Sequence, residues 1–469
     1  MDDAKKQTEK AKELAKQLLY KPKHIASKSP ESIEKSHAFC VGYKDFISEN
    51  KTEREIVKTI ISMAKEKGYK EYEDGTDYEP GEKIYINNRN RAIMLATIGT
   101  EPLDKGMRII ASHIDSPRLD FKPSPLYEKN EIAYCKTHYY GGIKRYQWAV
   151  TPLAIHGIIY KEDGTFCEIN IGENENDPVF VITDLLPHLA KDQGTKKMGD
   201  ILAGEDMNIV VSSIPFPGED VKEAVKLATL VFLNEQYGIT EKDFHRAEIE
   251  VVPAGKARDI GFDRSLIGGY GQDDRSCAYT SLIAELEIEN PKKTTLAVFA
   301  DKEEIGSTGA TGMQSNHLKN FISNLSYMQG VNKNVVCHHS TCLSADVGVA
   351  FDPAFASVSE PNNSAYINKG VILEKYTGSR GKVATNDCGA EFMAELIGML
   401  DGNDIPWQAG ELGKVDQGGG GTVARYIAEL DITTVDMGVP ILAMHSPFEI
   451  SSKLDVYATY LAFSTFLKY

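Results

Sequence analysis

Two kinds of hydrophobic patterning alternate along this 469-residue chain. Near the start, residues 5–19 and "TEREIVKTIISMAKEKGY" (52–69) carry apolar positions at helical spacing; the second has one apolar face built from Ile56, Ile60, Ile61, Met63 and Ala64. "GEKIYINNRNRAIMLATIG" (81–99) reads as two strands joined by a polar hairpin. The run Met107 to Ala111 reads as a buried strand that stops at Ser112-His113-Ile114-Asp115. From Phe121 to Val252 the texture changes to short β-like runs: "WAVTPLAIHGIIY", "TFCEINIG", "PVFVITDLLPHL", "MNIVVSSIPF" and "RAEIEVVPA", with one helix predicted over 219–238. Buried strands and helices then alternate again. Helix "SCAYTSLIAELEIE" leads to strand "TTLAVFA", and strand "ADVGVAF" to helices "CGAEFMAELIGML" and "TVARYIAELD". Strand "ITTVDMGVPILAMHS" and helix "LDVYATYLAFSTFLK" follow.

Strand–helix alternation predicts an α/β fold in which a mixed sheet is sandwiched by helices. The change of texture in the middle predicts a mostly-β insertion. The expected division is one domain from residues 1–118 and 258–469, interrupted by a second at 119–257. The length agrees, being too great for one ordinary core. No internal repeat or low-complexity tract is visible.

Composition narrows the partners. A net charge of −16 argues against nucleic acid and anionic membrane. No apolar run approaches the roughly 18 residues of a membrane span. The charged first twenty residues do not read as a secretory signal. Seven cysteines without a CxxC pair read as reduced thiols, so a cytoplasmic location is expected.

The candidate chemistry lies where predicted elements end, the place at which open α/β sheets gather functional groups. His113 and Asp115 stand in "SHIDS", Asp273 and Asp274 in "GYGQDDRS", Glu303 and Glu304 in "DKEEIGS", and His445 in "AMHSPFE"; Asp346 is expected at the start of strand "ADVGVAF". Each piece alone also fits a surface turn, a solvated loop or a helix N-cap. Together, so many carboxylates would repel one another unless cations stood among them. Histidine mixed with carboxylate suits zinc, and also manganese or cobalt. A single Asp can offer an oxygen to each of two metals, and of two adjacent glutamates one can bind metal while the other serves as general base.

"SHIDSPRLDFKP", "GQDDRSCAYTSL", "DKEEIGSTGATG", "SADVGVAFDP" and "MHSPFEI" together resemble the aspartyl aminopeptidase / aminopeptidase I family of dinuclear zinc exopeptidases, over most of the chain including the insertion. The resemblance implies that His113 and Asp346 bind one divalent ion, Glu304 and His445 the other, and that Asp273 bridges them with a cis peptide to Asp274. It implies two such ions per chain, zinc first, with cobalt or manganese as alternatives. It makes Glu303 the general base and Asp115 the acceptor that orients the His113 ring. It makes the insertion a dimerisation domain, His188 in "DLLPHLAKD" an oxyanion stabiliser acting on a neighbouring subunit, and Lys375 a substrate contact. The implied assembly is a tetrahedral dodecamer built from dimers.

The activity this implies is removal of single N-terminal residues from peptides. An acidic preference would need a cation such as Lys375 or Arg380; a neutral or broad preference is the alternative. The rivals are a dinuclear deacylase or carboxypeptidase on the same core, and an inactive assembly protein that kept the fold. "CHHSTC" (337–342) lacks the usual zinc spacing. The glycine run 418–421 has no Gly-Lys-Ser/Thr after it and reads as a close-approach turn, as does "GGYG" at 268–271.

Overall fold

The computed structural model describes residues 2–27, 30–218 and 221–469. Its centre is a nine-stranded sheet. In spatial order the strands are Lys70–Glu71, Lys83–Asn88, Ala92–Thr97, Thr295–Ala300, Arg108–His113, Thr341–Ser344, Thr433–Gly438, Val371–Glu374 and Trp407–Ala409. The four strands Thr295–Ala300, Arg108–His113, Thr341–Ser344 and Thr433–Gly438 are mutually parallel, with antiparallel neighbours on both sides.

These strands are apolar on both faces because helices cover both. Successive side chains of a strand point to opposite sides. Ile110, Phe299, Leu343 and Val435 enter one core, shared with helices Pro30–Glu49, Glu53–Glu66, Gln272–Leu286, Ala390–Gly402 and Lys453–Lys468. Ile109, Ala111, Val298 and Cys342 enter the other, under helices His317–Met328, Lys333–His339 and Ala424–Ala428. Helix Glu53–Glu66 starts at a capping box: the Glu55 backbone N–H donates to Thr52, and the Thr52 N–H donates back to the Glu55 carboxylate. No helix among the described residues is long and apolar enough to cross a membrane.

A seven-stranded antiparallel sheet is built wholly from strands between Arg118 and Pro253, and it has its own core around Trp148, Leu153, Ile159 and Val251. Helix Ala224–Tyr237 packs on it; the first two residues of the helix expected over 219–238 lie outside the described residues. A five-stranded sheet is formed by Arg258–Ile260, Leu266–Gly269, Glu449–Ser452, Pro440–Leu442 and Gly348–Val349.

The structure corrects three expectations. The long strand 432–446 is two strands in two sheets, Thr433–Gly438 and Pro440–Leu442. The chain passes against the Asp346 carbonyl at Gly438, where any Cβ would collide with it. "ADVGVAF" is a strand only at Gly348–Val349, so Asp346 lies in the turn after Ser344 and not at a strand start. "PVFVITDLLPHL" forms a strand only at Val181–Ile182, with Phe180 bridged to Leu153 just before it, and Pro187 then opens a 3-10 turn.

Phe299 is fully buried at the middle of the central sheet. Phe299→Ala is expected to destabilise the protein by about 3–5 kcal/mol, read as a lower urea midpoint; an unchanged midpoint would contradict this account of the core.

Candidate metal centre

Parallel strands deliver their C-terminal ends to one edge of the sheet, and register decides which residues meet there. His113 ends its strand directly opposite Ala300. Beyond Ala300 the chain turns through Lys302, whose φ is 68°, into the short 3-10 turn Glu303–Ile305. Asp346 follows Ser344 by two residues at the same edge. Asp273 and Asp274 stand in the first turn of helix Gln272–Leu286, joined by a cis peptide as the resemblance implied. His445 arrives from the five-stranded sheet, between Pro440–Leu442 and Glu449–Ser452.

Asp273 stands at the centre. Its Oδ1 is 3.2 Å from Nε2 of His113, and its Oδ2 is 3.1 Å from Nε2 of His445. Nε2 of His113 also lies 3.8 Å from Oδ1 of Asp346, and Nε2 of His445 lies 3.4 Å from Oε1 of Glu304. The result is two clusters, His113–Asp273–Asp346 and Asp273–Glu304–His445, each with its potential ligand atoms within 4.8 Å of one another. They share only Asp273. Glu303 belongs to neither, and its carboxylate takes no hydrogen-bond or ion-pair partner among the described residues.

Two buried carboxylates brace this arrangement. Asp115 is fully buried and accepts hydrogen bonds from the backbone N–H groups of Glu303 (3.0 Å) and Glu304 (3.1 Å) and from the Tyr140 hydroxyl (2.8 Å). Nδ1 of His113 is 3.0 Å from the Asp115 backbone carbonyl and 3.3 Å from its carboxylate, so the carbonyl is the nearer orienting acceptor. Glu449 accepts from the N–H groups of His445 (2.7 Å) and Asp273 (3.1 Å). The outer nitrogen of His445, Nδ1, is 2.9 Å from the Gly142 carbonyl.

The electrostatics state the need for cations. Burial first, and neighbouring carboxylates after it, push Glu304 and Asp346 well above the usual carboxylate range. Burial takes Glu303 up to about 7. Burial would raise Asp273 as well, but the His113 and His445 imidazoles hold it well below its ordinary value. Burial opposes protonation of His445, yet Asp273 and Glu304 outweigh it and lift the ring to about 10. Oε1 of Glu304 is buried without a hydrogen bond. A buried set of imidazole nitrogens and carboxylate oxygens with an orphaned oxygen fits a divalent ion of the zinc type.

His188 and Lys375 make no contact with this cluster. His188 is exposed in the turn Pro187–Leu189. Lys375 is ion-paired with Asp387 at 2.6 Å, and Lys382 holds the other oxygen of Asp387 at 2.8 Å. "CHHSTC" contributes no metal grouping among the described residues; His338 faces Asp431 and His339 the Asp104 carbonyl. Sequence reasoning missed Glu449, Tyr140 and Gly142. Only Glu449 left a signal: an acid at the start of a strand, four residues after His445.

A family model described as aminopeptidase I zinc metalloprotease (M18) matches residues 46–467. A probable M18 family aminopeptidase 1 of Clostridium acetobutylicum is 50% identical over 433 residues, covering 91% of this chain and 93% of that protein. The crystal structure of an M18 family aminopeptidase from Thermotoga maritima superposes with a TM-score of 0.91 at 46% identity, covering 96% of this chain and all of that one. The mApe1 dodecamer of S. cerevisiae shares the fold, with a TM-score of 0.75 at 20% identity over 94% of this chain and 97% of that one.

Asp115→Asn leaves one of the Glu303 and Glu304 N–H groups facing an amide N–H, and is expected to lower peptide hydrolysis by about 10–100-fold. Steady-state kinetics within about threefold of the parent would contradict the bracing role.

Proposed function

The chain belongs to the M18 family of aminopeptidase I zinc metalloproteases, and we propose that it removes N-terminal residues from peptides with two zinc ions held by His113, Asp273, Glu304, Asp346 and His445. The observation that carries this reading is the division of Asp273: one carboxylate oxygen faces each imidazole. His113 and Asp346 complete one cluster, Glu304 and His445 the other.

When bound, zinc supplies Lewis acidity that lowers the pKa of a water and polarises a carbonyl. The protein supplies the rest. Glu303 is the general base: its carboxylate takes no hydrogen-bond or ion-pair partner among the described residues, and its backbone is fixed by Asp115. Burial holds its pKa near the range in which a carboxylate can take a proton from the attacking water and return it to the leaving amine. Asp115 and Tyr140 hold the turn that aims it.

A neutral or broad N-terminal preference fits better than an acidic one. Lys375, one of the two candidate cations, already pairs with Asp387. We divide the chain into a catalytic part, 1–118 and 258–469, and an inserted dimerisation part, 119–257. The separate sheet and core within Arg118–Pro253 support this division. On the insertion, Leu185, Leu186 and Leu189 are 53%, 50% and 66% exposed around His188. This apolar patch fits a contact between copies; we infer dimers assembled into a tetrahedral dodecamer, with His188 reaching the carbonyl oxygen of substrate in a neighbouring subunit. All seven cysteines are free, which fits the cytoplasm.

Glu303→Gln is expected to lower kcat by about 10²–10⁴-fold with zinc content unchanged by elemental analysis. Near-normal turnover in a zinc-replete variant would remove Glu303 from the mechanism. Across a panel of Asp, Glu, Leu and Lys p-nitroanilides, Leu should be cleaved at least as well as Asp and Glu. A tenfold or greater preference for the acidic pair would overturn the specificity reading.

A further inference from the structure

Glu449 is 1% exposed and has no basic partner among the described residues. Burying an unpaired carboxylate is costly unless its oxygens are hydrogen-bonded. Its hydrogen bonds are specific: Oε1 accepts from the N–H of His445 at 2.7 Å, and Oε2 from the N–H of Asp273 at 3.1 Å. Two backbone donors facing one side chain need two acceptor oxygens. A carboxylate offers them, whereas an amide would turn its NH₂ against one donor.

The frame behind Glu449 is rigid. It pairs with Gly269 in the strand that leads directly into the helix carrying Asp273. Its carbonyl accepts from Nε2 of Gln272 at 2.6 Å, and Oε1 of Gln272 accepts from the hydroxyls of Tyr43 (3.0 Å) and Ser451 (2.5 Å). His445, by contrast, sits in a turn at φ 62°, a conformation uncommon for a residue with a Cβ and one that surrounding bonds must hold. Across the site Asp115 does the same for the backbone of Glu303 and Glu304. Glu449 therefore ties the backbone of the turn bearing His445 to the backbone of the helix start bearing Asp273.

We propose that Glu449 is a positioning residue that fixes Asp273 against His445 and so sets the zinc affinity of the Asp273–Glu304–His445 cluster, with a lesser effect on the His113–Asp346 side. The proposal rests on the two-zinc reading above. Asp273 belongs to both clusters, but His445, the second residue that Glu449 holds, belongs to only one, so the two clusters should respond unequally to the loss of Glu449.

The test is zinc titration of the zinc-stripped full-length protein against a competing chromophoric chelator, for the parent and Glu449→Gln, with melting temperatures of the stripped proteins. The parent should take up two equivalents. In Glu449→Gln one equivalent should weaken by about 10–100-fold, at least tenfold more than the other, and excess zinc should restore most of the lost turnover. Ser326→Ala, which loses a buried hydrogen bond to the Ile322 carbonyl in helix His317–Met328, away from this frame, should change melting but not affinity. If Glu449→Gln does not fold, Glu449→Asp, which is too short to span both donors, carries the same expectation. Unchanged affinity for both equivalents, or equal weakening of both, would overturn the proposal; the first with a lowered melting temperature would mark a purely structural carboxylate. A parent that binds fewer than two equivalents would instead overturn the two-zinc reading itself.

Discussion

Buried carboxylates that face one another need positive charge between them, and most of the architecture at the sheet edge follows from that requirement. Asp273, Glu304 and Asp346 meet at the ends of elements where water is scarce, with Glu303 beside them. Two imidazoles relieve Asp273 but leave the others pushed upward by burial and by each other. Divalent ions remove the repulsion and turn it into affinity. Because the two clusters share only Asp273, its position governs both.

The fold meets this demand by bringing rigid elements to one place from far apart in sequence. Parallel strands carry His113, the Glu303–Glu304 turn and Asp346 to a common edge, and a helix start supplies Asp273. His445 comes from a different sheet, so its place relative to the rest is not set by strand register. Backbone hydrogen bonds to two buried carboxylates, Asp115 and Glu449, supply what register cannot. The segment that forms the seven-stranded sheet takes part as well: Tyr140 donates to Asp115, and the nearby Gly142 carbonyl faces Nδ1 of His445.

Much of this was legible along the chain, for physical reasons that differ by residue. His113 and the Glu303–Glu304 pair each follow a mostly apolar run, and such runs mark buried parallel strands whether or not the tertiary structure is known. Asp346 and His445 were harder. One sits in a turn where a strand was expected, and the other lies beyond the point at which Gly438 lets the chain change sheets. Both entered through the order of the motifs more than through local pattern. Glu449 accepts from the backbone of Asp273, 176 residues away, and Tyr140 donates to the carboxylate of Asp115, 25 residues away, and no local periodicity reports such pairings. Lys375 shows the reverse: its charge is plain in the sequence, but its pairing with Asp387 is visible only in three dimensions.

The most direct test of the central claim is anomalous diffraction at the zinc absorption edge from crystals of the zinc-loaded protein. Two peaks are expected, one among His113, Asp273 and Asp346 and the other among Asp273, Glu304 and His445, with Asp273 touching both. A single peak, or peaks that leave Asp273 uncoordinated, would contradict the account.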